Sequence, residues 1–274
     1  MIAMSLPPLV NNYLEFCKYR KFYNKGGTVD LSKAEWLYPT TLLPLVALIK
    51  SNGSQFRYKP PEKKAVRNYF DLVTGDPPHN NADSFIPIIR ANRLNDTYMQ
   101  QIYTLIAAKE LNDDIRIKNA IRYIISELVA NIDEHSKCND SIFMAQNYQK
   151  LKFMEGGFFD NGITIPGSFR DAGLPTSGAS DSDCIKQATE GISTKKDGGR
   201  GHGLPSTTKI IKEMNGDMFI VSGNGGLYLN GTNKYVDNDI LYSLDDDTEL
   251  NGTLISFRVH IPIKAFDIYK RGYL

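Results

Sequence analysis

Hydrophobic spacing divides the chain into helical and extended stretches. Ile121, Ile124, Ile125, Leu128, Val129 and Ile132 recur at i, i+3, i+4 and i+7, which predicts an amphipathic helix with one face in a core. Asp113 and Asp114 are its candidate N-caps. Helical spacing also runs over Leu9–Tyr23, broken by Gly26 and Gly27, over Leu42–Ile49, over Asp183–Glu190, and over Ile210, Ile211 and Met214, closed by Gly216. Thr28–Leu31, Trp36–Tyr38, Ile142–Tyr148, Leu151–Phe159, Met218–Ser222 and Asn251–Pro262 read as strands, and the Ile142 and Leu151 segments form a hairpin. Pro60, Pro61 and the run Asp76–Asn81 mark loops or a linker. Gly167–Gly191 is a long polar connection, of a kind usually functional or disordered. The pattern predicts an α/β (α+β) chain with a small N-terminal α/β domain over 1–110 and a layered α/β domain over 111–274.

Chemistry-bearing residues then fall on this frame. Glu127, Asn131 and His135 stand four apart on the central helix and, at about 100° per residue, form a slanting row that drifts onto its apolar face. Burial without partners would cost roughly 1–3 kcal/mol each, so protein or ligand must satisfy them. The plainer alternative is a solvated helix edge with a Glu–Asn pair. Phe158–Pro166 reads FFDNGITIP, an apolar strand end running into Asp160 and a turn at Asn161 and Gly162, which an ordinary Asx or type I′ turn would also explain. Gly191–Leu204 reads GISTKKDGGRGHGL, with glycines at 199, 201 and 203 where a helix begins. Backbone N–H groups can approach an anion there, and Ser193, Thr194, Lys195 and Arg200 add donors, although a glycine loop with no ligand reads the same way.

The order of these segments, closed by NGTLISFRVHIP at Asn251–Pro262, resembles the GHKL ATPase superfamily of gyrase, the large cytosolic chaperones, histidine kinases and mismatch-repair ATPases. Glu127 with Asn131 looks like the N box, Asp160 with Gly162 like the first glycine box, Arg200–Leu204 like the second, and Gly252 with Thr253 like the last; the likeness covers Ile115 to about Pro262. It implies a two-layer sandwich of a mixed β-sheet and helices with an ATP lid. It also implies ATP and Mg²⁺ as cofactors, with Asn131 binding the metal, Glu127 orienting or deprotonating the nucleophile, and Asp160 accepting from the adenine amino group. His135, Ser193, Thr194, Lys195, Arg200, Gly201, His202 and Gly203 would face the phosphates, and Gly162, Ile165, Leu204 and Thr253 would complete the nucleotide site. The GISTK…RGHGL pairing is most similar to the lid of sensor-kinase catalytic domains, and the Asn131–His135 spacing also resembles the anti-sigma-factor serine kinases. One departure is Thr164, where the family usually carries a second glycine. In the N-terminal part, the strand VDLS, a second apolar strand and a turn with Thr40 and Thr41 opening a helix faintly resemble the STAS domains of anti-sigma-factor antagonists, although plain helix caps are the simpler reading of these threonines.

Composition narrows the classes. At 274 residues the chain can bury a sizeable core, and 32 Lys plus Arg against 31 Asp plus Glu give a net charge of +1, so no global field draws it to nucleic acid or an anionic membrane. The three cysteines, Cys17, Cys138 and Cys184, have neither metal-ligand nor C-x-x-C spacing and fit a reducing, cytoplasmic compartment. Neither a signal peptide nor a membrane span is expected. There is no P-loop, dinucleotide fingerprint or eukaryotic-kinase motif set. Asp245–Asp247 reads as a solvated turn, and His79 in a proline-rich loop argues against a self-phosphorylating histidine kinase. The expected function is transfer of the ATP γ-phosphoryl group to water or to a Ser or Thr of a regulatory partner protein, by a chain that could also pair with itself as a homodimer; the alternative is an ATP-gated protein-binding module with negligible catalysis.

Overall fold

The computed structural model describes residues 6–24, 27–53, 57–75, 84–94, 96–107, 114–174, 178–194, 203–231 and 239–269. A seven-stranded sheet runs through the molecule. Its strands are β3 (Phe85–Arg90), β4 (Ser141–Tyr148), β5 (Phe153–Asp160), β6 (Gly216–Gly223), β7 (Gly225–Asn230), β8 (Ile240–Ser243) and β9 (Leu250–His260), in the order β3-β4-β5-β9-β6-β7-β8. Every neighbouring pair is antiparallel. The α+β sandwich is the architecture expected; the sheet is antiparallel throughout where a mixed one was expected.

One face of the sheet packs on α4 (Asp96–Ala107), α5 (Ile115–Asn131), α7 (Asp181–Thr189) and α8 (Gly203–Glu213). Asp114 caps α5 by accepting from the Arg116 N–H, and Ile117, Ile121, Ile124, Ile125 and Leu128 form its buried face. The N-terminal elements cover the other face. These are α1 (Pro8–Asn24), α2 (Pro39–Asn52), α3 (Lys64–Thr74) and the short parallel pair β1 (Val29–Asp30) and β2 (Tyr58–Lys59). Leu9, Tyr13, Leu42 and Leu43 from this segment share a core with Met144, Phe159, Phe219 and Val221 of the sheet, and β3, also N-terminal to residue 110, pairs with β4. Coverage on both sides explains why β4, β5 and β6 are almost continuously buried instead of alternating.

Several local expectations change. Trp36–Tyr38 forms no strand: it is a loop in which Trp36 stacks on Tyr69 with ring centroids 4.6 Å apart and donates to the Tyr148 hydroxyl at 3.1 Å. Thr40 and Thr41 are fully buried, and both hydroxyls donate inward, to Glu155 Oε1 and to the Asn12 carbonyl. The polar connection after Asp160 contains an additional helix, α6 (Ile165–Asp171). The central helix changes to π geometry at Ile132–Ser136, so Asn131 and His135 lie on different helical pitches.

Candidate functional site

Four separated segments meet in one cleft at the end of the sheet. Strand pairing begins the assembly: Asp160, the last residue of β5, stands opposite Thr253 of β9. Gly252 holds φ at +108°, and a side chain on it would collide with the Asp160 carbonyl, so glycine is required for this approach. Thr253 shares a 2.9 Å hydrogen bond with Ser222 on β6, and the Ser222 hydroxyl accepts from the Ile165 N–H at 2.8 Å. The start of α6 is thereby tied to the sheet.

The turn after β5 is an Asx turn, with the Gly162 N–H donating to Asp160 Oδ1 at 3.0 Å. Gly162 also passes so close to the Ser136 carbonyl that no side chain would fit, and the Ile163 N–H donates to that carbonyl at 2.6 Å. The π turn and the Asp160 loop are therefore fixed to each other. Thr164 caps α6 by accepting from the Gly167 N–H at 3.0 Å, and its φ of −68° is one that any L residue adopts. This accounts for threonine at the position where the sequence resemblance leads one to expect glycine.

Asp160 is the electrostatic centre of the cleft. It is only 4% exposed, its Oδ2 accepts no hydrogen bond from a described residue, and burial pushes its carboxyl up from 3.8 to about 7, opposed in part by the Gly162 N–H. On the other wall, Glu127 and Asn131 project from α5 towards the first turn of α8. A β-carbon on Gly203 would stand 2.7 Å from Glu127 Oε2 and 3.3 Å from Asn131 Oδ1, so the α8 N-terminus opens directly on both. His135 Nδ1 and the Thr194 hydroxyl are 3.0 Å apart, linking the π turn to the segment after α7.

Of the residues singled out in the sequence, Glu127, Asn131, His135, Asp160, Ile165, Ser193, Thr194, Gly203, Leu204 and Thr253 line this cleft. Gly162 backs it. Lys195, Arg200, Gly201 and His202 lie outside the described residues. Sequence reasoning missed Glu134, Ser168 and the apolar wall of Phe158, Ile163 and Phe169. The Thr164-Ile165-Pro166 capping pattern could have revealed α6 and with it Ser168 and Phe169. Among the described residues no Lys or Arg lines the cleft, and no group of three or more His, Cys, Asp or Glu residues could hold a metal. No protein-family model, curated protein or solved structure matches the chain.

The arrangement offers a buried acceptor at one end, beside apolar walls suited to a planar base. At the other end are an amide, a carboxylate and a helix N-terminus suited to a phosphate chain.

Proposed function

We propose that this chain is a cytoplasmic, GHKL-type ATP-binding protein that uses magnesium and transfers the γ-phosphoryl group of ATP to water or to a Ser or Thr of a partner protein. One observation carries the reading: the buried Asp160 carboxyl presents an oxygen without a donor among the described residues, in a cleft that also holds Glu127, Asn131 and the α8 N-terminus. An exocyclic amino group of adenine supplies the missing donor, and guanine, with a carbonyl at that place, does not. Thr164 gives no support to a binding-only module, since its hydroxyl caps α6.

The donor set fits magnesium, which takes one or two protein oxygens and completes its shell with substrate phosphates and water. Asn131 Oδ1 would hold it, and when bound it would neutralise charge on the phosphates. The chain's own residues do the rest. Asp160 and the apolar wall orient the base, the α8 N-terminus receives phosphate oxygens, and Glu127 takes the proton of the attacking hydroxyl as its oxygen bonds to the γ-phosphorus and the bond to the β–γ bridging oxygen breaks.

The test is incubation with γ-labelled ATP, alone and with cell extract. The parent should release labelled phosphate or label a Ser or Thr of a protein, and Glu127→Gln should lower that rate roughly 10²-fold while leaving ATP affinity within a few-fold. Unchanged turnover in Glu127→Gln would remove Glu127 as the base.

A further inference from the structure

Two separately built turns bring a hydroxyl and an imidazole together in the cleft. Helix α7 ends in a Schellman closure: Gly191 holds φ at +104°, its N–H donates to the Ala188 carbonyl at 3.4 Å, and the Ile192 N–H donates to the Gln187 carbonyl at 3.0 Å. The chain is thereby turned off the helix axis, and Ser193 and Thr194 line the cleft. His135 comes from the π turn, which the bond from the Ile163 N–H to the Ser136 carbonyl fixes to the Asp160 loop. The Thr194 hydroxyl and His135 Nδ1 stand 3.0 Å apart, and on the other side of the ring Nε2 lies 3.8 Å from Glu134 Oε2. A carboxylate beside Nε2 favours the tautomer with its proton there, which leaves the Nδ1 lone pair to accept from the threonine hydroxyl. Hydroxyl, imidazole and carboxylate in that order are the parts that activate a nucleophile, and 3.0 Å is within reach for proton transfer.

We propose that Thr194 is an acceptor for the γ-phosphoryl group of ATP, an autophosphorylation site of this chain, with His135 as its base. The inference rests on ATP binding in this cleft; it adds an acceptor within the chain and makes no use of Glu127. Thr194 lines the same cleft as Asn131 and Gly203, beside which the reading above puts magnesium and the phosphate chain. Attack within one chain gains from proximity, since neither the hydroxyl nor its base has to be brought in from solution. Thr194 Oγ1 bonds to the γ-phosphorus as the bond to the β–γ bridging oxygen breaks, and the hydroxyl proton passes to His135 Nδ1. ADP leaves, and the imidazolium, with Glu134 beside it, releases the proton to water. The products are ADP, phosphothreonine and a proton, and no further reactant is needed.

The experiment uses the purified full chain, without extract, with saturating γ-labelled ATP and magnesium, and maps the label by peptide mass spectrometry while ATP binding is measured separately at equilibrium. The parent should carry acid-stable label on Thr194, at an initial rate per chain that does not change with protein concentration. Thr194→Val should abolish that label with ATP affinity within a few-fold of the parent, and Thr194→Ser, which restores a hydroxyl, should recover it. His135→Gln keeps a hydrogen-bonding group without the basicity and should slow labelling roughly 10²-fold even at saturating ATP. A parent that binds ATP but carries no label on Thr194, or carries it on Ser193 or His135 instead, overturns the acceptor and leaves the nucleotide site standing. Undiminished labelling in His135→Gln overturns the base, a rate rising in proportion to protein concentration overturns attack within one chain, and a parent that binds no ATP overturns both this inference and the reading beneath it.

Discussion

Strand β5 carries two buried carboxylates on opposite faces of the sheet, and their surroundings separate a structural site from a candidate binding site. Glu155 is fully buried under the N-terminal layer and is satisfied by protein. It accepts from the Thr40 hydroxyl at 2.7 Å, the Thr40 N–H at 3.2 Å and Arg258 Nη2 at 2.6 Å, and the guanidinium lies 3.9 Å from the Phe153 ring centroid. Asp160, five residues further along, accepts from one backbone N–H among the described residues and faces an open cleft. Burial alone does not mark a functional carboxylate. A carboxylate matched on all sides locks two layers together, whereas one left with an unpaired oxygen carries a desolvation cost that a ligand can relieve.

The comparison breaks most visibly at Arg258. Arg258→Met leaves Glu155 buried and uncompensated, and urea unfolding should show a loss of about 3–5 kcal/mol, much of it restored when Glu155→Gln is added. Undiminished stability in the single variant would mean the pair does not hold the layers.

Asp160 should respond in the opposite direction. Its folded value of about 7 lies above the 3.8 of the unfolded chain. Below pH 3.8 both states are protonated and the group contributes nothing. As pH rises from there to about 7, the unfolded chain ionises while the folded carboxyl keeps its proton, so stability falls across that window and then levels off. Asp160→Asn removes this loss. It should be near neutral at pH 4 and more stable than the parent at pH 8 by on the order of 2 kcal/mol in thermal or chemical unfolding. A destabilised variant at pH 8 would contradict the assignment.

Thr40→Val is a milder probe of the satisfied site. It removes the hydroxyl donor but leaves the Thr40 N–H and Arg258 in place, so a loss of about 1–2 kcal/mol is expected in the same unfolding assay, with ATP binding untouched. The smallest expected effect is on ligand affinity. Because an amino donor favours ionised Asp160, ATP affinity should rise less than tenfold between pH 6 and pH 8, with proton release detectable by calorimetry in buffers of different ionisation enthalpy. A flat profile would separate Asp160 from the base.

Legibility in the sequence followed physical simplicity. Helix α5 shows because one face is buried and the other wet, and the Asp160 turn shows because Asx chemistry is local. The π turn at Ile132–Ser136 left no signature, since one wider turn changes no residue type. Strands β3 and β7 were hidden by Pro87 and by Gly225 and Gly226, which break the run that a strand otherwise displays. Helix α3 does display a readable stripe at helical spacing, Val66, Tyr69, Phe70 and Val73. What one sequence could not convey is that α1 to α3 lie on the back of the same sheet, because that depends on which apolar faces choose each other.

The central claim is that Asp160 reads the base of a bound nucleotide. Equilibrium binding of ATP and GTP to the parent and to Asp160→Ala, in magnesium buffer at pH 8, tests it most directly. The parent should bind ATP and prefer it to GTP, and Asp160→Ala should lose at least tenfold in ATP affinity together with most of that preference. A parent with no ATP affinity, or an Asp160→Ala variant that binds ATP as tightly and as selectively as the parent, would contradict it.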